Sequence, residues 1–280
     1  MHLGEIEVRF LHSGNFYLDG GSMFGVVPKT LWEKKAPPDE RNRIRLATNS
    51  LLVRAPGKTI VVETGNGAKW DAKLRNIYGI AEGDGLQAAL GKTGVKPEEV
   101  DLVINTHLHF DHAGGNTHPV QARDVPAFPR AKYIVQRAEL QHALHPTERD
   151  RASYFPDRFV PITEAGQWQL VEGDVEILPG ISVVRIPGHN ENIQAVKISG
   201  GGKTLLFVAD LIPTRHHLPL PWIMAFDLYP MQTLETKRRR IAEIIQGGWI
   251  VVFGHDPELP AATLHEGDGK IEFEPVELNR

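Results

Sequence analysis

A short run rich in metal-binding side chains places the strongest constraint on this chain. It reads THLHFDH at residues 106–112 and follows residues 100–105, an apolar stretch typical of a buried strand. His107 and His109, two positions apart, point to the same side of an extended backbone, and Asp111 and His112 reach the same space one turn later. Three imidazoles and a carboxylate suit a borderline divalent cation such as Zn²⁺. The run therefore predicts a metal site at the end of a strand.

The composition limits the chemistry and the number of domains. The chain has 280 residues, of which 41% are hydrophobic and 24% charged, and no cysteine, so any metal must be held by histidine and carboxylate. No Gly/Ser-rich or Pro-rich linker divides the sequence, and we expect a single domain over residues 1–280. Residues 145–160 are polar and aromatic with little periodicity, and they are predicted to form a surface or cap insertion.

The charge pattern argues against nucleic-acid and membrane partners. The formal net charge is −4, and Lys and Arg are scattered apart from the tetrad at residues 237–240. That tetrad lies on an amphipathic helix predicted for residues 231–246, where it is expected to form a solvent-exposed face. The N-terminus lacks the basic start and apolar run of a signal peptide, and no apolar stretch approaches the roughly 20 residues of a membrane helix. A cytoplasmic location is expected.

Four strand-like runs end in a metal-binding residue. Residues 100–105 lead to His107 and His109, residues 181–186 to His189, residues 204–209 to Asp210, and residues 249–253 to His255. Strands of one or two adjoining sheets that end in this way bring their terminal residues to one rim. The pattern predicts that the four runs share one site.

In identity, order and spacing, these residues resemble the metal motifs of the metallo-β-lactamase-fold hydrolase superfamily. The resemblance covers nearly the whole chain. It implies an α/β fold, namely a four-layer αβ/βα sandwich with two mixed β-sheets facing each other, helices outside and the metals at one edge. It also implies a full set of seven ligands for two divalent ions: His107, His109, Asp111, His112, His189, Asp210 and His255.

The resemblance further assigns roles within this set. His107, His109 and His189 would hold the first ion, Asp111, His112 and His255 the second, and Asp210 would bridge both. Zinc is the expected metal, with Fe, Mn or Co as alternatives. A hydroxide bridging the two ions would attack the substrate, with Asp210 and Asp111 as the catalytic carboxylates and Asp111 passing a proton to the leaving group. Glu63, in place of the family's usual Asp, would accept the outer N–H of a ligand histidine.

Three segments resemble one branch of the superfamily. Residues 18–28, 63–67 and 226–230 are similar to quorum-quenching lactonase-like and methyl-parathion-hydrolase-like proteins. The chain departs from the family at residues 188–192, which read GHNEN where GHTPGH is usual, and at Pro213, where the acyl-homoserine lactonases carry a catalytic Tyr. Tyr229 is expected to fill similar space from another loop. The branch implies a small-molecule ester or lactone substrate and a homodimer.

Aromatic and apolar residues in the loops near these motifs are candidates for a substrate pocket. They are Met23, Phe24, Phe110, Trp222, Phe226 and Tyr229, with His216 beside them. Packing of one loop on another explains them equally well. An apolar wall of this kind favours esters, lactones or aryl phosphotriesters over highly charged substrates.

Several functions remain open at the level of the sequence. The first is a lactonase or esterase, with phosphotriester hydrolysis as an alternative activity. A glyoxalase II-like thioesterase would require a basic glutathione-binding patch, which the sequence does not show, and a nuclease is disfavoured by charge. A redox member of the fold normally carries a flavin domain, for which the 280 residues leave no room. A non-catalytic scaffold is the least favoured alternative because no ligand is missing.

Overall fold

Two seven-stranded β-sheets form the centre of the computed structural model, which describes residues 1–83 and 85–278. The first sheet begins with β1 (His2–Leu3), β2 (Ile6–Asp19), β3 (Arg43–Ala55), β4 (Lys58–Val62) and β5 (Leu102–Ile104). A separate hairpin of β6 (Thr117–Val120) and β7 (Arg123–Pro126) follows, and β8 (Lys132–Gln136) and β9 (Trp168–Val171) then complete the sheet beside β5. The pairs β4–β5, β5–β8 and β8–β9 are parallel and the remaining pairs antiparallel, so the sheet is mixed.

The second sheet follows the chain in spatial order. Its strands are β10 (Val175–Leu178), β11 (Ile181–Arg185), β12 (Gln194–Gly200), β13 (Lys203–Phe207), β14 (Ile250–Val252), β15 (Ala261–Gly267) and β16 (Lys270–Pro275). Only β13 and β14 pair in parallel. They are joined by a long crossover, whose helix is α8 (Pro230–Gly247).

Seven further α-helices in the described residues surround the sheets. They are α1 (Gly20–Phe24), α2 (Lys29–Trp32), α3 (Ala72–Tyr78), α4 (Gly85–Lys92), α5 (Phe110–Ala113), α6 (Arg137–Leu144) and α7 (Val160–Glu164). None of the helices in the described part of the chain is long and apolar enough to cross a lipid bilayer.

The alternation of side chains along the strands creates the layers. On β4, Ile60 and Val62 pack into the core between the two sheets, together with residues of β11 to β15. Val61 points the other way and packs with Leu86 and Leu90 of α4. On the opposite side, α8 contacts β15. The four-layer αβ/βα sandwich implied by the resemblance is confirmed.

Residues 19–28, within one of the three segments that resemble the lactonase-like branch, contain the short helix α1. The Asp19 carboxylate caps it by accepting the Ser22 backbone N–H at 2.7 Å. A side chain at Gly20 would collide with the ring of Trp32, so only glycine allows this close packing. The helix is too short to show a periodic pattern in the sequence.

The expectation that residues 237–240 form a solvated face was wrong for Lys237. This residue is fully buried on α8. Its Nζ donates to the backbone carbonyls of His217 (2.6 Å), Pro219 (3.0 Å), Leu220 (3.3 Å) and Trp222 (2.9 Å). Lys237 thus ties the loop before α8 to the helix.

Candidate metal centre

All seven residues predicted as ligands meet at one edge of the two sheets. His107 and His109 follow β5, and Asp111 and His112 lie on α5 directly after them. The other three come from the second sheet, after β11, β13 and β14 respectively: His189, Asp210 and His255. Their ligand atoms form three overlapping groups within 4.8 Å: His107–His109–His189, His107–His112–Asp210 and Asp111–His112–His255.

One half of the centre is built by His112, His255 and Asp111 around Asp210. The Nε2 atoms of His112 and His255 are 3.0 Å apart. Asp210 Oδ1 lies 2.9 Å from His255 Nε2 and 3.2 Å from His112 Nε2. Asp111 Oδ2 is 3.5 Å from His255 Nε2. These distances bring two imidazole nitrogens and two carboxylates to one point.

The other half is built by three histidines and the second oxygen of Asp210. His189 Nε2 lies 3.1 Å from His109 Nδ1 and 3.3 Å from Asp210 Oδ2. His107 Nε2 is buried and has no hydrogen-bond partner among the described residues. Asp210 therefore presents one oxygen to each half.

Hydrogen bonds on the outer side of the rings determine which nitrogen faces inward with a lone pair. Three ligand histidines donate an outer N–H to an acceptor: His112 Nδ1 to Glu63 Oε2 (3.1 Å), His189 Nδ1 to Asp227 Oδ1 (2.9 Å) and His255 Nδ1 to Ala47 O (2.8 Å). With the proton on the outer nitrogen, the neutral ring turns the lone pair of Nε2 toward its neighbours. Facing lone pairs repel each other unless a cation lies between them, so the donor set fits divalent metal ions.

Glu63 lies where the resemblance placed a supporting carboxylate. Its Oε1 also accepts the Thr106 backbone N–H at 2.6 Å, and its own backbone has a φ of 63°. Asp227 supports His189 in the same way, because its Oδ1 accepts the N–H of His189 Nδ1. Thr233 Oγ1 donates to the other carboxylate oxygen of Asp227, Oδ2, at 2.7 Å. Asp227 lies within residues 226–230, but no role for it is predictable from the sequence because nothing local links it to His189.

The electrostatics of the centre favour a bound cation. Burial holds the pKa of His107 and His109 well below the ordinary value, so both rings stay neutral. Burial acts against ionisation of Asp210 as well, but His112 and His255 hold the pKa of its carboxyl well below the usual range. Burial opposes protonation of His112, His189 and His255 too, but the Asp210 carboxylate raises the pKa of all three. The centre therefore concentrates negative charge that a divalent metal ion would neutralise in place of these protons.

A cavity of about 500 Å³ opens onto the centre. His109, Asp111, His189, Asp210 and His255 line its inner end. Three of the predicted wall residues also line it, namely Met23, Phe110 and Phe226.

The other four pocket candidates do not line this cavity. Phe24 is fully buried and stacks on Trp32 and His217, with ring centroids 5.3 and 4.9 Å away. Trp222 packs edge-on against Phe24, at 5.6 Å. His216 faces a different cavity, beside Lys35 and Arg215, and burial lowers its pKa to about 4. Tyr229 precedes α8, is 45% exposed and does not line the cavity.

Residues from distant parts of the chain complete the cavity wall. The lining residues that were not predicted from the sequence include Tyr17, Arg43, Ile77, Tyr78, Arg149 and Met224. Arg149 belongs to residues 145–160, the predicted insertion, which also contributes Ala152 and Ser153. In the sequence, β2 and β3 show only an alternation of hydrophobic residues. This pattern does not distinguish residues that line a cavity from residues that pack in the core.

Comparison of the sequence with known proteins gives matches consistent with this geometry. The family model described as the metallo-beta-lactamase superfamily matches residues 43–255. An N-acyl homoserine lactonase of Bacillus thuringiensis is 31% identical over 183 residues, which cover 64% of this chain and 65% of that protein. The match thus spans just under two thirds of the length of this relative.

Solved structures share the whole fold. A probable metal-dependent hydrolase from Staphylococcus aureus is 32% identical, with a TM-score of 0.91 and 99% of both chains covered. AidC, a dizinc quorum-quenching lactonase, has a TM-score of 0.82 at 20% identity, covering 100% of this chain and 97% of its own, and is similar in fold. Because the family model matches residues 43–255, which is most of the chain, the chain belongs to the metallo-beta-lactamase superfamily.

Proposed function

We propose that this protein is a metal-dependent hydrolase with a binuclear centre that opens lactones. The observation that carries the proposal is the position of Asp210. Its Oδ1 lies 2.9 Å from His255 Nε2, in one half of the centre, and its Oδ2 lies 3.3 Å from His189 Nε2, in the other. A carboxylate with one oxygen in each half of a donor set is the bridging ligand that two adjacent cations require.

The chain's own residues hold and orient the parts of the reaction. His107, His109 and His189 would bind one ion, and Asp111, His112 and His255 the other. Two bound divalent cations supply Lewis-acid polarisation of a substrate oxygen and activation of water for attack. Asp111, which lines the cavity, is placed to give a proton to the leaving oxygen.

The cavity supports a neutral, partly apolar substrate. Leu18, Met23, Phe110, Met224 and Phe226 line it above the metal ligands. This wall accommodates an acyl chain, while the centre takes the ester carbonyl. Relatives named N-acyl homoserine lactonases support an acyl-homoserine lactone as the substrate, and the dizinc lactonase similar in fold supports zinc as the metal.

A substrate panel tests the proposal. Purified protein would be assayed with acyl-homoserine lactones, simple γ- and δ-lactones, aryl esters, thioesters and paraoxon-type triesters. We expect the lactones to be hydrolysed with the highest kcat/KM. His109→Ala removes a ligand and is expected to lose at least about 1000-fold, since the reaction depends on the metal chemistry.

His118→Ala is the matched control. His118 lies on the β6–β7 hairpin and outside the ligand set, so its replacement is expected to leave kcat/KM within about two-fold. Preference for triesters or thioesters over every lactone would contradict the proposed substrate. Full lactonase activity in His109→Ala would contradict the proposed mechanism.

A further inference from the structure

Two buried side chains beside the first ligand group take no part in the chemistry described above. Glu139 lies on α6 and is fully buried, without an ion-pair partner among the described residues. Its Oε2 makes no hydrogen bond there either. Tyr154, in the predicted insertion at residues 145–160, is 3% exposed. Burying a carboxyl group without a cation nearby costs free energy, so the contacts that Glu139 makes need a structural explanation.

The Glu139 carboxylate connects the HxH turn to the insertion. Its Oε1 accepts the backbone N–H of Leu108, the residue between two ligands, at 2.9 Å. The same oxygen accepts the Tyr154 hydroxyl at 3.1 Å. The Tyr154 ring packs edge-on against the ring of His109, with centroids 4.7 Å apart.

The Tyr154 hydroxyl also reaches the loop that carries His189. It accepts the side-chain amide of Asn190 at 3.4 Å, and Asn190 Oδ1 accepts the Asn192 backbone N–H at 2.8 Å. Asn190 and Asn192 stand in the GHNEN turn, where the chain departs from the usual family motif. One hydroxyl thus lies between the two loops that provide the first three histidines.

We propose that Glu139, Tyr154 and Asn190 form a clamp that positions His107, His109 and His189 for the first metal ion. The three are positioning residues, because none is itself placed as a ligand. The inference rests on the proposed binuclear centre and adds that the first half of that centre has a support of its own.

The second half has other supports. Glu63 accepts the outer N–H of His112, and Ala47 O accepts that of His255. None of the hydrogen bonds of Glu139 or Tyr154 in the described residues reaches this group. Burial raises the pKa of Tyr154, so the hydroxyl remains a donor toward Glu139 under all ordinary conditions. Loss of the clamp is therefore expected to weaken one metal site selectively.

Titration of the apo-protein with Co²⁺ alone tests this selectivity. Calorimetry and the visible absorbance of bound cobalt would follow the two binding steps, and His109→Ala would identify the step that belongs to the first group. Tyr154→Phe keeps the ring contact and loses the hydroxyl, and Glu139→Leu removes the acceptor. Both are expected to weaken the first-group step by roughly 10- to 100-fold, the usual effect of losing a partner of a ligand.

Two variants separate positioning from a general loss of stability. Glu139→Gln keeps an oxygen for Leu108 and Tyr154, and we expect near wild-type affinity. Tyr133→Phe removes another buried phenol hydroxyl, which bonds to Asn116 O and Phe128 N and to no ligand, and both steps are expected to be unchanged.

The outcomes distinguish this inference from the proposed function. Fewer than two ions in the wild-type protein would contradict the binuclear centre itself. With two ions bound, unchanged affinities in Tyr154→Phe, equal weakening of both steps, or a similar selective loss in Tyr133→Phe would each overturn the clamp.

Discussion

Single buried side chains determine the electrostatics next to the metal centre, and Lys237 is the least expected of them. Burial lowers its pKa from the ordinary 10.5 to about 7, while four backbone carbonyls surround Nζ. Asp227, which accepts the N–H of His189, is the charged group that acts on it in the opposite direction. Because the charge of Lys237 changes with pH, the stability of the loop before α8 depends on pH as well.

The stability of the protein should depend on pH through Lys237. Between pH 7 and about 10 the unfolded chain binds a proton that the folded chain lacks, so the free energy of unfolding rises with pH in this window. Lys237→Met removes this contribution. Measured by urea unfolding at pH 7 and 9.5, the stability of the wild type relative to the variant should increase, by on the order of 4 kcal/mol at most. A difference that stays constant with pH would contradict the buried, titrating Lys237.

At the residue scale, local spacing decides what the sequence can predict. His107 to His112 are recognisable because four donors stand within six positions, and His189, Asp210 and His255 because each follows a strand. Asp227, Glu139 and Tyr154 have no such signal. They act through contacts between segments that are far apart in the chain, and only the folded structure brings these together.

At the scale of elements, the segment at residues 145–160 is a wall of the cavity and a support of the metal centre. Arg149 of this segment donates to Ala225 O at 2.6 Å and so joins it to the loop that carries Phe226. Ala225 N in turn donates to the carbonyl of Ser22, a residue of α1, at 2.8 Å. Three segments thus meet around the cavity mouth. The strands and long helices were predictable from their periodicity, whereas these contacts were not, because irregular segments carry no period.

Removal of the Arg149 contact should loosen the cavity without affecting the chemistry. Arg149→Ala breaks the hydrogen bond to Ala225 O, and we expect KM for a long-chain acyl lactone to rise about three- to ten-fold with kcat little changed, since binding rather than the metal centre is altered. Steady-state kinetics would measure both. Arg151→Ala, an exposed neighbour that does not line the cavity, is the control. A large fall in kcat with KM unchanged would contradict this part of the account.

At the scale of the whole molecule, the metal centre joins the two sheets. His107, His109, Asp111 and His112 follow β5 of the first sheet, and the other three ligands follow strands of the second. Ions bound by these residues would hold the two sheets together at this edge. The sandwich itself was predictable because four strands that end in candidate ligands match a known arrangement. The positions of the loops on the two sheets were not predictable, because they depend on the packing of the folded chain.

Metal removal should lower the thermal stability of the protein. A ligand present at 100 times its Kd stabilises the folded state by about 2.7 kcal/mol, which for a protein of this size corresponds to a Tm change of at least about 5 °C. Calorimetric scans before and after chelation, and after readdition of Zn²⁺, would measure the shift. An unchanged Tm after complete removal would contradict a metal bridge between the sheets.

The metal content of the purified protein tests the binuclear centre most directly. Elemental analysis after expression in metal-replete medium should give about two divalent ions per chain, and His109→Ala should retain about one, because the second group keeps Asp111, His112 and His255. One ion or fewer in the wild-type protein would contradict the account.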